Sequence, residues 1–79
     1  MKNRLDEIIG AFVEIRGSRS LLADGTDGLI EYGSERIVIS MGKLTLTVRG
    51  NGLTLRFYTK TKIGIEGDIS GVEYERTAS

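Results

Sequence analysis

Between Lys43 and Arg49 every second residue is apolar. Leu44, Leu46 and Val48 alternate with Lys43, Thr45, Thr47 and Arg49. Alternate side chains of a strand point to opposite faces, so such a segment has one buried and one wet side. Leu53-Thr54-Leu55-Arg56-Phe57 repeats the pattern, and Gly50-Asn51-Gly52 lies between the two runs. An Asn-Gly pair supplies the positive φ angles of a tight two-residue turn, so the two runs are expected to form a β-hairpin with Phe57 on its apolar face.

The same punctuation recurs along the chain. Arg36 to Met41 is rich in β-branched residues and stops at Gly42, while Lys62 to Glu66 stops at Gly67-Asp68. Ile69 to Glu75 reads as a last strand with Gly71 as a bulge, and Gly28 to Tyr32 closes at Gly33-Ser34. Leu21-Leu22 precedes the turn-rich stretch Ala23 to Gly28. There are 11 glycines and no proline, so glycine makes nearly all the turns. Such spacing predicts an all-β domain of about seven or eight short strands in a roll, sandwich or small open barrel.

Near the N-terminus, Leu5, Ile8, Ile9, Phe12 and Val13 recur at helical spacing, with Asn3 as N-cap and acids at Asp6 and Glu7. Gly10 sits badly in a helix interior, so the expectation is a short helix or arm over 1–10, with a strand from Ala11 to Arg16. The β domain then covers 11–75, followed by a frayed tail at 76–79. Alternation names the core as Ile37, Ile39, Leu44, Leu46, Val48, Leu53, Leu55, Phe57, Ile63, Ile65, Ile69 and Val72.

With 79 residues the chain forms one domain, and a core of that size is marginal by itself. Without cysteine, neither disulfides nor thiolate metal sites can reinforce it, and burying more surface in an oligomer is the natural remedy. No apolar run approaches the roughly 20 residues that cross a bilayer, and the first residues lack the long apolar stretch of a signal peptide. Cytoplasmic residence without membrane insertion is therefore expected. Net charge is zero, with 11 basic and 11 acidic residues, but the signs are segregated. From Ile37 to Lys62 the chain holds Lys43, Arg49, Arg56, Lys60 and Lys62 and no acid. That asymmetry suits pairing of basic strands with acidic neighbours, within one subunit or between subunits.

Reactive chemistry is scarce. Histidine, cysteine and tryptophan are all absent, which removes the commonest general base, every thiol nucleophile and the usual zinc ligands. Ser18, Ser20, Ser34, Ser40 and Ser70 lie beside turn residues or on strands, where they serve as turn formers. Asp24-Gly25-Thr26-Asp27-Gly28 offers two carboxylates but lacks the terminal Glu of a calcium loop, and reads as a turn in which Asp side chains cap amides. Gly50-Asn51-Gly52 is followed by no Lys-Ser signature or helix start, so it is no phosphate loop. No catalytic, metal-binding or cofactor-binding residue is assigned, and the chain is expected not to be an enzyme. The candidate interaction face is Lys43, Arg49, Arg56, Tyr58, Lys60 and Lys62. Cations beside an aromatic on an open sheet are what single-stranded nucleic acid binders use, so such binding is the alternative to assembly. The same residues also suit a merely solvated strand face.

The order of residues resembles a known family. Gly28-Leu29-Ile30-Glu31-Tyr32 leads into Glu35-Arg36-Ile37-Val38-Ile39, then Gly42-Lys43-Leu44 and Gly50-Asn51-Gly52-Leu53. The chain then runs Ile65-Glu66-Gly67-Asp68-Ile69-Ser70-Gly71-Val72-Glu73-Tyr74. This is similar to the YabP/YqfC family of sporulation proteins from endospore-forming bacteria, over about residues 12 to 75. Those proteins share a Gly-apolar-apolar-Glu-Tyr/Phe strand, a Gly-x-Leu/Ile strand and an Ile-x-Gly-x-Ile-x-x-Val-x-Tyr/Phe ending. Two stretches depart from the pattern. Ala23 to Gly28 replaces a Glu-Asn-His-Arg-Gly type sequence, and the segment between Gly42 and Gly50 is longer than usual. The resemblance implies a role in spore coat or cortex assembly, in the mother cell or at the developing spore surface. Its partners would be further copies of the chain or another sporulation protein, and it brings no catalytic residues with it.

Overall fold

The computed structural model describes residues 12–76. The helix or arm expected over 1–10, the strand start at Ala11 and residues 77–79 of the tail expected at 76–79 lie outside the described residues, while Arg76 is the last residue of the final strand, opposite Leu44. The described chain is all-β, in the order β1 (Phe12–Arg16), β2 (Ser20–Asp24), β3 (Gly28–Tyr32), β4 (Arg36–Met41), β5 (Leu44–Tyr58) and β6 (Lys62–Arg76). These form one six-stranded sheet in the order β1-β2-β6-β5-β4-β3, with every pair antiparallel.

The count falls below the expected seven or eight because two pairs of expected strands are each continuous. The runs on either side of Gly50-Asn51-Gly52 are both parts of the 15-residue β5. Likewise, the runs on either side of Gly67-Asp68 are both parts of the 15-residue β6. The expected central hairpin therefore does not exist. A type I′ turn needs positive φ at both central residues. Here Gly52 has φ 66° and, among the described residues, none other than glycine has positive φ, so Asn51 stays extended. Asn51 pairs with Asp68 of β6 instead of turning the chain back on itself.

Glycine makes these places bends rather than turns. A straight strand of 15 residues would span about 50 Å, yet the longest extent of the molecule is 31 Å. The β5–β6 ribbon must therefore fold over, and it does so where Gly50, Gly52 and Gly67 meet. Gly67 has φ 141°, a conformation open in practice only to glycine, and a Cβ there would stand 2.6 Å from the Gly52 carbonyl oxygen and 2.9 Å from the Leu53 Cα. A Cβ on Gly50 would collide with the Asp68 carbonyl. The pairing register shifts between Arg49 and Gly50 and again between Asn51 and Thr54, as bulges do where a sheet bends.

The two outer hairpins brace the bend from opposite sides. The β1–β2 turn lies along β6, with the Gly67 N–H donating to the Arg19 carbonyl (3.0 Å) and the Ile69 N–H to that of Ser18 (2.7 Å). The β3–β4 turn lies along β5, with the Gly50 N–H donating to Glu35 (3.1 Å) and the Leu53 N–H to Ser34 (2.8 Å). The link from β2 to β3 then ties together both ends of β5. Its Gly25 and Thr26 N–H groups donate to the Thr61 carbonyl just past β5 (2.8 and 3.0 Å), and the Asp27 carboxylate accepts from the Gly42 N–H just before it (3.2 and 3.3 Å). The sheet is thus rolled over on itself, which meets the expectation of a roll or open barrel.

The inner face of the roll is the core. Cross-strand rows put Ile37 beside Val48, Ile39 beside Leu46, Leu21 beside Ile65, and Ala23 beside Ile63. All eight are buried, as are Met41, Leu44, Leu53 and Ile69. Of the core read from alternation, nine residues are buried, while Leu55 and Val72 are only partly covered. Phe57 is a correction, because it is 41% exposed on the outer face. A register shift between Leu55 and Phe57 inserts Arg56 as an extra residue, which reverses the alternation beyond it. Phe57 then pairs with Gly64, and its ring occupies the space where a Gly64 side chain would stand.

These positions set clear expectations for stability. Leu46→Ala should cost about 2–5 kcal/mol, and Leu55→Ala distinctly less because Leu55 is only partly buried. Gly50→Ala should be severely destabilising, whereas Gly71→Ala, which meets nothing within 4 Å, should shift a urea midpoint little. Equal midpoints for the two alanine-for-glycine variants would contradict the bend.

Candidate interaction surface

The roll disperses the six residues that the sequence singles out. Lys43 lies in the β4–β5 turn, Lys60 in the β5–β6 turn and Lys62 at the start of β6. Because the β2–β3 link binds both turns, these three lysines come to one end of the molecule. They share that end with Asp24, which is the cross-strand partner of Lys62, and with Asp27. Tyr58 is half exposed at the end of β5, in the row of Ala23 and Ile63. Arg49 and Arg56 lie elsewhere, on either side of the bend. The expected wet hairpin face, with Arg49 near Arg56 and Tyr58, disappears with the hairpin itself.

The segregated charges partly compensate each other within the chain. Arg49 Nε donates to Glu73 Oε1 at 3.0 Å, so the acid-free β5 takes one counter-charge from the acidic end of β6. Arg16 stands 3.5 Å from Glu14, and Arg36 stands 3.8 Å from Glu31. All three pairs are well exposed, so each contributes at most about 1 kcal/mol. Their larger effect is to place an acid beside each of these three arginines.

The stretch Asp24 to Gly28 acts as structure. Asp27 closes the β4–β5 turn through the Gly42 N–H, which is the capping role read from the sequence. Thr26 is 4% exposed, and its hydroxyl finds no hydrogen-bond partner among the described residues. Among those residues, no three of His, Cys, Asp or Glu are grouped to hold a metal ion. No helix among them is long and apolar enough to cross a membrane.

One feature escapes simple alternation. A depression on the outer face is lined by Glu14, Arg16, Ser20, Leu21, Leu22, Arg56, Phe57 and Gly64. Its floor is the row Glu14–Leu22–Gly64–Phe57, which runs across β1, β2, β6 and β5. It arises because Gly64 has no side chain and because the bulge turns Phe57 outward. Only knowledge of the bulge, whose register the sequence does not mark, would have revealed it.

An all-β roll built on a bent two-strand ribbon, with charges paired across its strands, is the class of domain these features define. The chain belongs to the YabP family, whose family model matches residues 11–79. No curated protein matches it. Family membership agrees with the resemblance carried by the Gly28–Tyr32 strand and the Ile65–Tyr74 ending, and is consistent with a sporulation-associated protein.

Two substitutions test the link. Asp27→Ala removes the hydrogen bonds to Gly42 and should lower stability by about 1 kcal/mol. Thr26→Val replaces a buried, unpartnered hydroxyl by a methyl group and should leave stability unchanged or raise it. Denaturant midpoints moving in the opposite order would refute these roles.

Proposed function

We propose that this chain is a non-enzymatic structural or interaction protein of the sporulation programme, acting in spore coat or cortex assembly through self-association or partner binding. The observation that carries this reading is the family match over residues 11–79. Two further features support it. A sequence without histidine or cysteine lacks the groups that most acid–base and nucleophilic catalysis uses. The small core also leaves Ile15, Ile30, Tyr32, Phe57, Tyr58 and Tyr74 exposed by 41–61%, apolar surface that an assembly can cover. Single-stranded nucleic acid binding draws less support, because Arg49 is held by Glu73 and Lys62 stands opposite Asp24.

Sedimentation velocity over a range of concentrations at moderate salt tests the self-association arm. Concentration-dependent growth in sedimentation coefficient is the expected result. A strict monomer at high micromolar concentration would remove self-assembly and leave binding to a different protein as the function.

A further inference from the structure

One row of the core ends at an open edge. β1 is the last strand of the sheet and, among the described residues, pairs with β2 alone. Ile15 stands opposite Leu21, Leu21 opposite Ile65, and Ile65 opposite Leu55, so one apolar row crosses β1, β2, β6 and β5. Leu21 and Ile65 are buried, whereas Ile15 is 48% exposed. The row therefore runs out into solvent, at a strand whose outer backbone edge is a template for a further strand.

The other face of β1 carries charge. Glu14 and Arg16 line the outer-face depression, with Arg16 Nε 3.5 Å from Glu14 Oε2. This pair lies within one strand and is well exposed, so it contributes little by itself. It also leaves capacity unused, because a carboxylate has two acceptor oxygens and a guanidinium five N–H donors. Glu14-Ile15-Arg16 runs acid, apolar, base, an order that is its own complement when two copies run antiparallel. Opposite residues of an antiparallel pair share a face, so a two-fold pair of β1 strands must be centred on a residue facing itself. Centring on Glu14 or on Arg16 sets like charges together, and centring on Val13 gives Glu14 no opposite charge. Centring on Ile15 sets Glu14 of each copy against Arg16 of the other.

We propose that this chain forms a symmetric dimer in which β1 pairs antiparallel with β1 of a second copy, centred on Ile15. The inference rests on the self-association reading and specifies its interface. On the outer face the two Glu14–Arg16 pairs lie side by side in opposite directions. Every charge keeps its partner within the strand and gains a second across the axis. On the inner face Ile15 meets Ile15 of the second copy, which joins the two apolar rows end to end and covers the exposed end of each. The contact is isologous, so association closes at the dimer and the two six-stranded sheets become one. β3, at the other end of the sheet, is less suited, because its register is interrupted between Leu29 and Glu31.

The test is charge reversal in the full chain, read by sedimentation at low salt. Glu14→Arg and Arg16→Glu each set like charges together at both contacts across the axis, and each should weaken dimerisation about tenfold or more. Mixed with each other, the two variants are complementary at both contacts, and the mixture should recover dimerisation. Mixing does not restore the pair within a strand, so recovery reports the contact across the axis alone. Ile15→Lys sets two ammonium groups together at the axis and should abolish the dimer. All three side chains are well exposed, so melts at low concentration should resemble that of the original chain. If the chain associates but these variants do so unchanged, or the mixture associates no better than its components, this interface is overturned while self-association stands. A chain that stays monomeric throughout overturns both.

Discussion

The structure depends on one close approach, where the β5–β6 ribbon folds over at Gly50, Gly52 and Gly67. At that point the two backbones come together so tightly that side chains on Gly50 or Gly67 would strike the opposite strand. The core follows from it. Only because the ribbon bends do the apolar faces of its two halves turn inward together, one bringing β2 and the other β4. The two hairpin turns lock the bend through main-chain hydrogen bonds, and the β2–β3 link draws the two ends of β5 to one place.

Much of this architecture was legible in the residues. Alternation located the inward positions of β4, the first half of β5 and the first half of β6, where no register shift intervenes. The glycines were located correctly as well, but their meaning was not. Gly50-Asn51-Gly52 has the composition of a tight turn, and short-range chemistry alone favours that reading. What decides otherwise is tertiary: β4 and β6 already flank Leu44–Arg49, so no hairpin partner can enter there. Phe57 was misplaced for a related reason, since a single extra residue in a bulge reverses every side chain after it.

The candidate surface was less legible than the fold. Charge segregation was visible in sequence, and the Arg49–Glu73 pair shows one way in which it is resolved. The expected cluster did not form, however, because the roll carries Lys43, Lys60 and Lys62 to one end and separates Arg49 from Arg56. Proximity depends on the bend and on the link, and neither has a local signature.

The same bend organises the fold of this YabP family chain. All of this requires that β5 be one bent strand. Cross-strand nuclear Overhauser contacts measure that directly. The account predicts main-chain contacts between Thr47 and Glu73 and between Leu55 and Ile65, with none between Arg49 and Thr54. Strong Arg49–Thr54 contacts, the mark of a hairpin closing at Asn51-Gly52, would contradict it.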